Sequence, residues 1–221
     1  MNVRAAKPLP RHKVQRIKDR ARYDRSDAYA IFDAAFLAHV GFCVDGQPFV
    51  IPMLYARDGD ALLLHGSIAS RLIKQLGQGV EACVSMTIVD GLVLARSHFH
   101  HSANYRSVVA FGRARVLDDA AAKTSALEHF VEAMLPGRAA ESRYPDRNEL
   151  AATSVLHFDI VDISAKIRSG GPKDDKADLT LPHWAGVVPM QARYDAPQPS
   201  DDCSVRLPAS VQRLLQRADA T

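Results

Sequence analysis

The stretch ALLLHGSIASRLIKQL, residues 61–76, gathers groups suited to holding an anion. An apolar run ends at His65, a glycine follows, and Ser67, Ser70, Arg71 and Lys74 stand where a helix begins. Unpaired N–H groups and partial positive charge at a helix start, two hydroxyls and a guanidinium that grips two oxygens together suit a phosphate. The same residues also fit a capped surface helix with solvated cations.

A second cluster lies in ARSHFHHSANYRSVVAFG, residues 95–112. His98 and His100 share one face of a regular strand, which is the geometry of half a metal site. No carboxylate or cysteine stands at ligand spacing, so no metal is expected, and the histidines read as site-lining or interface groups. Asn104, Arg106 and Ser107 lead into the apolar run Val108–Phe111. They fit a barrel rim that hydrogen-bonds a ligand's edge, or a plain turn and strand start. Trp184, the one tryptophan, suits either core packing or an aromatic wall beside a planar ligand.

Other chemistries lack their motifs. There is no G-x-S-x-G elbow, no G-x-G-x-x-G turn and no Walker loop. Cys43, Cys83 and Cys203 are an odd, widely spaced set, which argues against a disulfide framework. Cys43 and Cys83 sit in strand patterns and read as buried, inert thiols.

These groups need elements to position them. SDAYAIFDAAF predicts a helix over 27–38 with Ser26 as its cap. Asp45-Gly46, Asp58-Gly59 and Asp90-Gly91 each divide β-rich runs and read as hairpin turns. SRLIKQLG predicts a short helix capped near Ser70 and ended by Gly77 or Gly79. AAAKTSALEHFVEAML is a helix stopped by Pro136-Gly137, and SVLHFDIVDISAKIR alternates as a closing strand. Val187-Val188 should pack back on the body, and Pro208–Arg217 should form a short helix. Antiparallel strands about ten residues apart, with no βαβ rhythm, describe a mainly β, α+β domain: a small closed barrel of six or seven strands with peripheral helices.

With 221 residues, 47% hydrophobic and 24% charged, the chain can bury a real core, and general disorder is excluded. No apolar run approaches the roughly 20 residues of a membrane span. Residues 1–25 carry nine Lys and Arg side chains against Asp19 and Asp24. We therefore expect a basic arm at 1–25, a barrel domain at 26–195 and a polar tail with a short helix at 196–221. The arm lacks aromatic interleaving, so an arm resting on a partner subunit is favoured over nucleic-acid binding. Its charged, proline-broken start is unlike a secretion leader, and a cytoplasmic protein is expected.

The runs PFVIPMLYARDGDALLLHGSIASRLIKQL, DGLVLARSHFHHSANYRSVVAFGRARVL, ISAKIRSGGPKDD and HWAGVVP resemble the pyridoxamine 5'-phosphate oxidase-related family of FMN-binding split β-barrels. They are similar in particular to its flavin-nucleotide-binding, nitroimidazole-reductase-like branch. The resemblance implies a homodimer with FMN, or FAD, in clefts between subunits. Arg71 would bind the phosphate with Ser70, Ser67 and Lys74. Ile51, Pro52, Met53 and Leu54 would run along the ring, with His65 beside it as the catalytic candidate. Asn104, Arg106 and Ser107 would meet flavin polar atoms, and Trp184 would approach from the partner. The activity implied is reduction of a small nitroaromatic or quinone-like acceptor by NADH or NADPH, with a non-catalytic flavin module as the alternative. Trp184 is followed by AGVVP rather than an arginine-rich motif, so vitamin B6 oxidase activity itself is not expected.

Overall fold

The computed structural model describes residues 10–219. Its elements are β1 (Ala21–Arg22), α1 (Arg25–Phe32), β2 (Leu37–Val44), β3 (Gln47–Asp58), β4 (Ala61–Ser67), α2 (Arg71–Gly77), β5 (Glu81–Leu94), β6 (Ser102–Val116), α3 (Ala120–Met134), α4 (Arg147–Ala152), β7 (Thr153–Arg168), β8 (Gly186–Pro189) and α5 (Ala209–Asp219). Six antiparallel strands follow one another in space as β7-β4-β3-β2-β5-β6, and β6 pairs again with β7. The sheet thus closes into the expected split barrel, with β1 added to β7 and β8 to β5.

Alternation decides what fills it. Val40 and Phe42, Leu62 and Leu64, Val84 and Met86, Val108, Leu156 and Phe158 face inward as one buried cluster. Ile31 and Phe32 of α1 and Leu72, Ile73 and Leu76 of α2 extend it at the barrel ends. A second cluster lies outside the barrel, where Phe130 and Ala126 of α3 cover Ala56, Leu63 and Val155. Among the described residues, no helix is long and apolar enough to cross a membrane.

Several expected boundaries move. α1 ends at Phe32, not 38, and is preceded by Asp24 rather than capped by Ser26. Ala35 and Phe36 satisfy a helical spacing, but Leu37 pairs with Leu54 and the Phe36 carbonyl already accepts the Tyr55 N–H, so the sheet claims the segment. Asp45-Gly46 is the two-residue turn expected, with φ of 49° and 78°. Asp90-Gly91 is instead a bulge inside the continuous β5. There β8 runs alongside, and a side-chain carbon on Gly91 would stand 2.8 Å from the Val188 carbonyl. Cys43 is exposed, not buried, because Val40 and Phe42 hold the inward positions of β2. α4 was not anticipated, although its capping box, Asp146 with Glu149, is written in the sequence. Arg4 and Lys7 of the basic arm lie outside the described residues. Arg11 reaches the body, donating to Glu81 and Asp162 with its guanidinium over Phe111.

Candidate functional site

Leu63 and His65 alternate with the inward Leu62 and Leu64, so both point out of the barrel toward α3. His65 is the rung partner of Val155, and Phe130 meets it edge-on with ring centroids 4.4 Å apart. Around it opens a cavity of about 390 Å³ lined by Leu127, Phe130, Val131, Arg143 and Tyr144. His65 Nδ1 is buried there and makes no hydrogen bond. Burial pushes the imidazole pKa below its usual value, so the ring is neutral near pH 7 and keeps a free lone pair. At the mouth Arg143 grips Glu149 with two hydrogen bonds of 2.8 and 2.6 Å, and the Tyr144 hydroxyl donates to Glu128 at 2.9 Å. A neutral nitrogen in a largely apolar slot, with the Arg143–Glu149 pair and Glu128 at its rim, suits a flat metal macrocycle. Sequence reasoning singled out His65 as a group beside a flavin ring rather than in this cavity, and did not find Phe130, Arg143 or Tyr144. The i, i+3, i+4 spacing of Leu127, Phe130 and Val131 was the available signal, since it marks one face of α3.

The loop expected to hold an anion lies at the end of the same strand. Ser67 Oγ accepts the Ala69 N–H at 3.2 Å, and Ser70 precedes α2 as its cap with no side-chain cap bond. The Arg71 guanidinium sits 5.3 Å over the Phe49 ring, and Lys74 lies one turn on. On β3, Ile51 and Met53 pack against the barrel core, while Pro52 and Leu54 are exposed on the outer face. The last β3–β4 rungs pair Tyr55 with Leu64, which brings Leu54 and His65 to the same end of the two strands. The structure thus groups His65, Ser67, Ser70, Arg71 and the segment 51–54.

It does not group the second cluster with them. Arg106 shares the face of Val108 and forks onto Asp90 at 3.0 and 2.7 Å, beside a cavity of about 810 Å³ that also borders Phe36, Met190 and Tyr194. Ser107 points the other way and donates to the Lys166 carbonyl at 3.2 Å. Asn104 Oδ1 accepts from Arg168. His98 and His100 stand in a short 3-10 helix instead of a strand, where His100 faces Asp175 at 3.3 Å. Among the described residues, no three His, Cys, Asp or Glu side chains gather as a metal set. Trp184 is not core: 66% of it is exposed and its ring packs over Gly186.

Comparison with known proteins adds the lineage of this arrangement. The family model described as pyridoxamine 5'-phosphate oxidase matches residues 24–167. No curated protein matches. Among solved structures, the flavocytochrome Anf3 from Azotobacter vinelandii is 38% identical, with a TM-score of 0.87 over 92% of this chain and 96% of that one. The FAD and heme binding protein from Mycobacterium smegmatis is 37% identical, with a TM-score of 0.83 over 88% of this chain and 97% of that one. A proposed 5-nitroimidazole antibiotic resistance protein from Bacteroides thetaiotaomicron, 19% identical, shares the fold at a TM-score of 0.56 over 66% of this chain and 86% of that one.

Proposed function

The chain belongs to the pyridoxamine 5'-phosphate oxidase family, and from that premise we propose that it is a flavin-dependent redox protein that also holds a heme. The observation that carries the heme reading is His65: a neutral imidazole with an unpartnered buried nitrogen, set in an apolar cavity with Arg143 at the mouth. Two relatives above 35% identity support it, one a flavocytochrome and the other a binder of FAD and heme. The second also favours FAD over FMN as the flavin.

The residues present fit both groups. His65 would ligate the iron, Phe130, Leu127 and Val131 would exclude water from the macrocycle, and Arg143 would face its carboxylates. Arg71, with Ser70 and Ser67, would hold the flavin phosphate, and the β3 segment Ile51–Leu54 would lie along the ring. When bound, the two groups supply hydride acceptance and one-electron transfer. The chain's own part is to fix both sites along the middle of β3 and at the end of β4. Exposed apolar side chains on this face, Val50 and Leu54 with Phe36 and Leu37 nearby, support the homodimer that the family resemblance implies. As an enzyme it would be an oxidoreductase drawing on NADH or NADPH, and the heme replaces the small organic molecule as the first acceptor we assign.

An absorption spectrum of protein purified from heme-replete cells tests this, followed by mass analysis of the released cofactors. Both a Soret band and flavin bands are expected. His65→Ala should lose the Soret band and keep the flavin. Flavin without any heme uptake overturns the heme half, and colourless protein that ignores added flavin overturns the whole.

A further inference from the structure

Arg168, at the end of β7, lies one residue past the segment matched by the family model and is 7% exposed. Its guanidinium donates only to neutral acceptors: Asn104 Oδ1 and the carbonyls of Gly170 and Gly171, the latter two at 3.2 and 3.1 Å. Its Nε is buried without any partner. A buried cation is costly unless an anion compensates it, and no carboxylate among the described residues forms an ion pair with Arg168. Burial and the positive charge of Arg20 both push its pKa down.

Two further cations share its surroundings. Lys166 is two residues earlier on the same face of β7, opposite the inward Ala165 and Ile163. Arg20 precedes Ala21, the rung partner of Lys166, and is close enough to repel Arg168. Neither enters a salt bridge among the described residues. Across the β6–β7 ladder, Tyr105 opposes Arg168 and adds a hydroxyl to the same patch, while the Ser107 hydroxyl, opposite Lys166, is already donated to that residue's carbonyl. Three cations gathered beside the Tyr105 hydroxyl, with every acceptor of Arg168 neutral, have the composition of an anion-binding site.

We propose that Arg20, Lys166 and Arg168, with Tyr105, bind the phosphate or pyrophosphate of a nucleotide. This site is separate from the loop at Ser70-Arg71 of the same chain. Ser67 pairs with Thr153 at the first residue of the sixteen-residue β7, and Arg168 is its last. One chemistry has two sources here: the diphosphate of a flavin held mainly by a second copy of the chain, or a diffusible nucleotide.

Isothermal titration of the full-length protein as purified, with inorganic pyrophosphate and with ADP, tests the site alongside flavin content. Arg20→Glu and Lys166→Glu are the variants, since both positions are only half-buried and the fold can be verified by circular dichroism. If pyrophosphate binds the wild type and weakens about tenfold or more in each variant while flavin content holds, the source is a diffusible nucleotide. If flavin content falls in both variants, the flavin's own diphosphate occupies the site. If neither flavin content nor pyrophosphate affinity changes, the proposal is overturned. The pyrophosphate arm reads equally on protein that carries no flavin, so its failure is distinct from failure of the flavin assignment.

Discussion

The Phe130 ring stands edge-on to the His65 imidazole, centroids 4.4 Å apart and planes at 89°. α3 thereby covers a titratable group with hydrocarbon, and the folded chain resists charging it. The pKa of His65 is lowered on folding, so the unfolded chain takes up the proton more readily. Above the unfolded value of about 6.5 both states are neutral and the group contributes nothing to pH dependence. As pH falls below that value the fold loses stability until the lowered folded pKa is passed. In protein free of cofactor, the urea midpoint of the wild type should therefore fall more steeply on acidification than that of His65→Phe. Parallel curves for the two proteins would remove the basis for a buried neutral imidazole.

Arg71 is held by a ring rather than by a carboxylate. Its guanidinium lies 5.3 Å over Phe49, and no salt bridge among the described residues engages it. That leaves its donors for an incoming phosphate. Arg71→Ala should weaken flavin binding by about 1.5–3 kcal/mol, roughly ten- to a hundredfold, the value of hydrogen bonds to a charged group. Fluorescence titration of the flavin-free protein measures it, and Arg71→Lys should recover part of the loss. Unchanged affinity in a folded Arg71→Ala protein contradicts the phosphate assignment.

What the sequence makes legible follows from how local each signal is. Asp45-Gly46 is readable because both residues need positive φ, a requirement that belongs to the dipeptide itself. Asp90-Gly91 is misread because its geometry is set by β8, nearly a hundred residues away. The start of α2 is legible since Ser67, Ser70 and Arg71 are neighbours in the chain. The cavity at His65 is not, because its walls come from α3 and the segment after it. Arg168 is invisible to sequence reasoning since nothing beside it says that it is buried without a counter-ion.

Glycines test the same distinction between local and distant causes. A Cβ on Gly112 would stand 1.9 Å from the Asp159 carbonyl, where β6 closes on β7. Gly46 has open space and only its φ of 78° to satisfy. Gly112→Ala should cost more than about 3 kcal/mol, enough to leave much of the protein insoluble, since the clash is with backbone. Gly46→Ala should cost about 1 kcal/mol. Chemical denaturation of both measures this, and equal losses would refute closure of the barrel between β6 and β7.

The apolar face next to the residues proposed to hold the flavin predicts assembly. Val50 is 67% exposed on β3, one pleat from Pro52 and Leu54, and its side chain points away from the barrel core. Burial of this face by a second copy would stabilise the pair by roughly 25 cal/mol for each Å² of apolar surface removed from water. Val50→Asp should shift the protein from dimer to monomer in light scattering and lower its flavin content with it. A monomeric wild type with full flavin content would break the link between the two.

The mouth of the His65 cavity gives the sharpest titration. Glu149 receives both Arg143 donors and also accepts the Asp146 N–H at 2.8 Å, completing the capping box of α4. The Arg143 hydrogen bonds, then the Asp146 N–H, pull its pKa down to about 2. A depressed folded value means that the contribution to stability is present above the unfolded carboxylate pKa and is lost as pH falls through about 2. Glu149 is solvent-exposed, so the pairing acts on the order of the Arg143–α4 corner more than on global stability. Carbon-detected NMR of the side-chain carboxylate should show a midpoint near 2 in the wild type. In Arg143→Ala the midpoint should rise toward the ordinary Glu range yet stay below it, because the Asp146 bond persists. Heme uptake should fall in the same variant, since the cation proposed to face the heme carboxylates is gone. An unmoved midpoint would show that Arg143 does not hold Glu149 in solution, and with it would go the argument that a guanidinium is stationed at this opening.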